Sequence, residues 1–173
     1  MPLAVTHVIL TIITVDLFRD YIVKQHKKYI TLHTIFIAGV AGLLPDIDIP
    51  ISWIYTIITG TNTSFHGGIT HTPLFGLIFL IPGVILWYKG KHKYATYFFV
   101  ITFGILFHLF LDFILGGGAY EGIMLFWPIS TTTFKIHVLG SIGLISIPPA
   151  IDAIILVLWL WHEEYKHKII DFF

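Results

Sequence analysis

Cysteine is absent from the 173-residue chain, which excludes disulfides and thiolate metal sites and leaves imidazole and carboxylate as the strong metal ligands. Charge is scarce. Asp, Glu, Lys and Arg make up 12% of residues, against about 25% in soluble domains, and a surface built from the remainder would not stay in water. Ten basic residues balance ten acidic ones, so nothing points to nucleic acid or to a polybasic membrane anchor. Low-complexity tracts, linkers and internal repeats are missing too, which argues against modular or inverted-repeat construction.

What is present is apolar: 56% hydrophobic residues and a mean hydropathy of +0.86. Five apolar stretches, at 3–18, 30–44, 73–88, 94–115 and 136–161, are separated by charge or turn residues. Each is a candidate spanning helix, although the first three fall short of the roughly 20 residues that a bilayer core requires. A further apolar piece, Ile49 to Ile58, reads as interfacial or re-entrant. The expectation is one all-α domain over 1–173, a polytopic bundle of about five spanning helices.

Topology follows from the few cations. No basic region precedes the first stretch, so it is not a secretory signal, and Arg19, Lys24, Lys27 and Lys28 follow it. Lys89, Lys91 and Lys93 mark the turn after the third stretch, and Lys166 and Lys168 mark the tail. By the positive-inside rule these regions are cytoplasmic, with the N-terminus outside and the C-terminus inside. Loop 45–72, without Lys or Arg, and loop 116–135, with Lys135 alone, fall outside. Leu44-Pro45 and Thr72-Pro73 mark helix boundaries and predict that the region between them is mostly loop.

That topology gathers the residues able to do chemistry. Asp46 and Asp48 flank Ile47 where the second helix ends, and can face a divalent ion or serve as turn caps. His66 and His71 lie five apart in a glycine-bearing loop, where they can ligate or remain exposed polar residues. His108 and Asp112 stack on one helix face, as ligands or as a structural hydrogen bond, and an ionisable pair in hydrocarbon needs a partner. His7 near the outer end of the first helix, and Glu121 and His137 beside the second outer loop, are further candidates, each also readable as a satisfied polar or interface residue. His26, His92, His162 and His167 fall among inner lysines and His33 near an inner helix end, all expected to be solvated or interfacial. Asp152, after Pro148-Pro149 within the last stretch, has no assigned role.

The run Gly42-Leu43-Leu44-Pro45-Asp46-Ile47-Asp48, the run His66-Gly67-Gly68-Ile69-Thr70-His71-Thr72, and His108-Leu109-Phe110-Leu111-Asp112 followed by glycines and Pro128, together resemble the YdjM family of predicted membrane-bound metal-dependent hydrolases. With His7 the likeness covers most of the chain. It implies Asp46, Asp48, His66, His71, His108 and Asp112 as metal ligands, with His7 joining them. The His-x-x-x-Asp pair is similar to that of the zinc phospholipase C and nuclease group. Gly67 stands where the family commonly has Arg, and Arg19, the one arginine, lies inside, so no guanidinium can clamp a phosphate. Metal ions or Lys135 would have to neutralise it.

The resulting expectation is a hydrolase in a prokaryotic inner membrane, its site facing outward. It would hold one to three divalent ions, zinc first and manganese second, and no other cofactor. A metal-activated water would cleave an ester or phosphoester of a membrane lipid, with Asp46 or Asp48 as the catalytic carboxylate. Two rivals predict different structures. A divalent-metal or proton-coupled transporter requires midplane sites and broken helices, whereas a structural metal that staples short helices requires filled coordination.

Overall fold

The computed structural model describes residues 4–23, 29–116, 122–136, 138–141, 143 and 148–167. Regular structure among them is helical. Helix α1 (Ala4–Leu17) continues into a π-helical turn (Phe18–Ile22) and is followed by α2 (Leu32–Ala41), α3 (Asp48–Thr59), α4 (Pro73–Tyr88) and α5 (His92–Leu115). The single turn α6 (Val138–Ser141) precedes α7 (Pro149–His167). No strand forms among the described residues, only an antiparallel bridge between Ile123 and Phe134.

Helices α1, α2, α4 and α5 fall within or close to the apolar stretches, and two expectations need correction. Residues 45–72 are not mostly loop, because 3-10 turns at Pro45–Ile47 and Ile69–His71 accompany a helix at Asp48–Thr59; Pro50 occupies the first turn of that helix, where a missing N–H is harmless, and left-handed Gly60 ends it. The last stretch is not one helix over 136–161. It breaks after α6, and α7 starts at Pro149 and runs on to His167, so Pro148-Pro149 begins a helix rather than interrupting one. By length and composition α5, with 24 residues, can cross a bilayer alone. Helix α2 and the Pro45–Thr59 segment qualify together, bent by 49°.

Burial is inverted relative to a soluble protein. Helix α3 buries Asp48 and Ser52, α4 buries Gly76 and Gly83, and α7 buries Asp152 and Glu163. Ile57, Ile81, Trp161 and many other large apolar side chains face outward. In water such exposure would forgo about 25 cal/mol for each Å² left uncovered, whereas lipid tails are as apolar as leucine.

The interior forms where α1, α2 and α5 meet, with Val15, Ile35, Ala38 and Val100 in one cluster. Small residues set the spacing: a Cβ added at Gly104 of α5 would lie 2.5 Å from the Ala38 carbonyl oxygen and 2.9 Å from the Ala41 Cβ. Backbone therefore touches backbone, as small residues permit between membrane helices.

Helix α7 is fastened to α1 by polar contacts. Thr6 Oγ1 lies 2.9 Å from both Asp152 oxygens, which gives Asp152 a role in helix pairing. At the other end Trp159 Nε1 donates to Asp16 at 3.2 Å, Arg19 contacts Asp16 at 2.7 Å, and His167 Nε2 lies 2.8 Å from Asp20. Burial alone would raise the Asp20 carboxyl, but hydrogen bonds from Arg19 and His167 hold it down at about 2. His162 bonds Tyr21 and Glu163, so His162 and His167 belong to a partly buried cluster and are not simply solvated. His26 lies outside the described residues.

Substituting Gly104→Ala should separate α2 from α5 and destabilise the fold by about 1–3 kcal/mol. Thermal unfolding in detergent would read this as a lowered midpoint beside wild type, and an unchanged midpoint would refute the close approach.

Candidate metal centre

Seven predicted residues converge at one end of the bundle because four chain segments meet there. Helix α1 brings His7. After α2 a short 3-10 turn (Pro45–Ile47) leads into α3 and delivers Asp46 and Asp48. A second 3-10 turn (Ile69–His71) delivers His71 just before Pro73 opens α4. Thr72 precedes that proline as expected, but its hydroxyl donates back to Ile69 O at 2.8 Å instead of capping α4. His108 and Asp112 project from α5, four residues apart.

His7, His71, His108 and Asp112 are at most 1% exposed, Asp48 is 3% exposed, and the side chains of Asp46 and His66 are 18% and 23% exposed. The nearest contacts form a chain. His7 Nε2 is 3.4 Å from Asp112 Oδ1, and His108 Nε2 is 3.2 Å from Asp112 Oδ2. Asp46 Oδ1 is 3.7 Å from His108 Nε2 and 3.5 Å from His71 Nε2. The His7 and His108 rings stack with centroids 3.8 Å apart.

A divalent ion fits these residues. His71 Nε2, His108 Nε2 and both Asp112 oxygens are buried without a hydrogen-bond partner, a costly state unless something else satisfies them. Their separations, 3.2 Å from His108 and 3.9 Å from His71 to Asp112 Oδ2, resemble the roughly 3.4 Å edge of a tetrahedron with bonds of about 2.1 Å. Three overlapping groups have metal-holding geometry: His7 with His108 and Asp112, Asp46 with His71 and His108, and Asp48 with His66 and His71.

The outer nitrogens narrow those overlaps. His108 Nδ1 lies 2.7 Å from the Gly42 carbonyl, so it donates there and presents Nε2 as a lone pair. His71 Nδ1 lies 3.0 Å from Asp48 Oδ2 and donates at 3.2 Å to Thr70 Oγ1, whose hydroxyl in turn donates to that carboxylate, again leaving Nε2 to ligate. This is the carboxylate–histidine arrangement that orients metal ligands. Asp48 is engaged on both oxygens, accepting from Thr70 Oγ1 at 2.8 Å and meeting His66 Nδ1 at 3.0 Å. The seven predicted residues therefore divide into an inner set of His7, Asp46, His71, His108 and Asp112, and a supporting pair of Asp48 and His66. Thr70 and the Gly42 carbonyl, absent from the predicted set, complete the support; carbonyl groups carry no sequence signal, and Thr70 is visible only as a neighbour of His71.

Glu121 and His137 lie outside the described residues. Lys135 sits on the segment whose next residue, Ile136, donates to Phe113 O at 2.8 Å, one position beyond Asp112.

The side chains of Asp46 and His66 are the two partly exposed members, so the centre meets the surface at these two residues.

The family model described as YdjM inner membrane protein matches residues 1–170. No curated protein and no solved structure matches the chain.

His108→Ala and Asp112→Ala should abolish zinc retention, whereas Asp48→Asn, which keeps a side chain beside His71, should weaken it about 10–100-fold. Competition against a zinc chelator measures both, and equal losses in all three variants would make Asp48 a direct ligand.

Proposed function

Since the chain belongs to the YdjM inner membrane protein family, we propose that it is a membrane-bound metal-dependent hydrolase acting on an ester or phosphoester of a lipid. The observation that carries this reading is the set of buried, unpartnered nitrogens and oxygens on His71, His108 and Asp112 beside a partly exposed carboxylate, Asp46. A bound divalent ion, zinc first, would lower the pKa of a water toward 7 and polarise the ester oxygen.

The chain's own residues do the rest. His71 and His108, locked by Asp48 and the Gly42 carbonyl, keep their Nε2 lone pairs in place through turnover. Asp46 is the proton acceptor: its Oδ1 has contacts of 3.5 and 3.7 Å within the centre, and its side chain is partly exposed. It takes one proton as the water oxygen bonds to phosphorus or carbon, and returns it to the alkoxide as the old ester bond breaks. Asp48, engaged on both oxygens by His66 and Thr70, is unsuited to that task. The lysines of the α4–α5 turn lie at the far end of the bundle, which by the positive-inside rule turns the metal centre outward.

A structural staple is the second reading, favoured by the nearly complete burial of His7, His71, His108 and Asp112. Elemental analysis of wild type, His108→Ala and Asp46→Ala, with phosphate release from mixed phospholipid vesicles on the same samples, separates the two. The hydrolase requires metal and release in wild type, loss of both in His108→Ala, and retained metal with release reduced about 10²–10⁴-fold in Asp46→Ala. Metal without turnover in wild type leaves the staple, and wild type that holds no metal even after zinc or manganese reconstitution ends both.

A further inference from the structure

Helix α3 begins inside the metal centre and then leaves it. Asp48 and Ser52 face inward, one bonded to the histidines and the other accepting from Phe65 N at 2.9 Å. Ile51, Trp53, Ile54, Tyr55, Ile57 and Ile58 are exposed, between 41% and 82%. An amphipathic helix in water shows the opposite arrangement. No Asp, Glu, Lys or Arg occurs between Asp48 and Lys89, so α3 beyond Asp48 and the loop after it carry no formal charge from these residue types.

Helix lengths give the depth. The 24 residues of α5 rise about 36 Å, slightly more than the roughly 30 Å hydrocarbon core. Asp112 is three residues from the end of α5, about 5 Å along its axis, so the metal centre sits where hydrocarbon gives way to headgroups. Helix α3 starts at that level, inclined at 49° to α2, and its 12 residues extend about 18 Å. Trp53 and Tyr55 then fall in the zone where aromatic residues anchor membrane proteins.

We propose that α3 is an interfacial helix whose apolar side lies among lipid acyl chains, so that the exposed edge of the centre at Asp46 and His66 faces the bilayer boundary and receives its substrate sideways from the lipid. The occupant is lipid rather than a second copy of the chain because the inverted burial is not confined to α3 and recurs on α4 and α7. The route by which substrate arrives rests on the hydrolase reading; the lipid contact of α3 does not.

The chain has no cysteine, so Ile54→Cys and Ile58→Cys each provide a single point for a nitroxide label in full-length protein reconstituted in phosphatidylcholine–phosphatidylglycerol vesicles. Lys93→Cys serves as the water-exposed control. Relaxation by oxygen should exceed relaxation by a water-soluble nickel chelate at both isoleucine positions, the reverse of the control. Nickel-dominated relaxation would place α3 in water, and low values for both reagents would mean protein covers it; either overturns the proposal. A second arm uses Ile54→Ser/Ile58→Ser, outside the metal centre. Phosphate release from vesicles should fall on the order of tenfold as apolar contact is lost, while hydrolysis of soluble bis(p-nitrophenyl) phosphate stays unchanged. Equal losses on both substrates would refute sideways delivery. If wild type hydrolyses neither substrate, the hydrolase reading fails while the nitroxide result still decides where α3 lies.

Discussion

The close approach of α5 to the end of α2 is the constraint on which the candidate metal centre depends. Gly104 lets the α5 backbone meet Ala38, Ala41 and the Gly42 amide. One turn further along, His108 then reaches the Gly42 carbonyl at 2.7 Å. That hydrogen bond fixes the imidazole and aims its other nitrogen at Asp46 and Asp112. A larger side chain at Gly104 would therefore alter ligand geometry from a distance, without touching a ligand.

The centre is a second consequence of the same economy of contacts. Without a hydrophobic drive between helices in lipid, polar groups and small residues must define the interior. The structure uses them at both ends of α1: His7 among the ligands, and Asp16 with the neighbouring Arg19 and Asp20 against Trp159, Glu163 and His167. The two ends differ in one respect that matters chemically. Arg19 supplies a permanent cation to the carboxylates of its cluster, whereas no lysine or arginine contacts the carboxylates of the centre among the described ion pairs, so a dication can complete it.

Much of the candidate site was legible in the chain. Asp46, Asp48, His66, His71, His108 and Asp112 stood out because ionisable residues in an apolar sequence need a reason, and lysine placement alone put them, with His7, on one side. Their division into an inner set and a supporting pair was not legible, since Asp48 and Asp46 are two residues apart and alike in type. Only the direction of the His71 nitrogens distinguishes them. The helical character of Asp48–Thr59 was obscured by flanking prolines and threonines, although Pro50 is tolerated in a first turn. The partners of His162 and His167 were not legible, because Tyr21 and Asp20 lie more than 140 positions away in sequence.

By itself the sequence determined that the protein is helical, belongs in a bilayer and can bind metal only through nitrogen and oxygen, because composition and hydropathy act on every residue wherever the chain goes. The tertiary structure decided which nitrogen of His71 and His108 is free, which carboxylate has both oxygens engaged, and which members of the centre reach the surface. Those are properties of distances between segments that the chain order leaves far apart, set here by backbone contact at Gly104 and by the turn that carries Asp46 and Asp48 into α3.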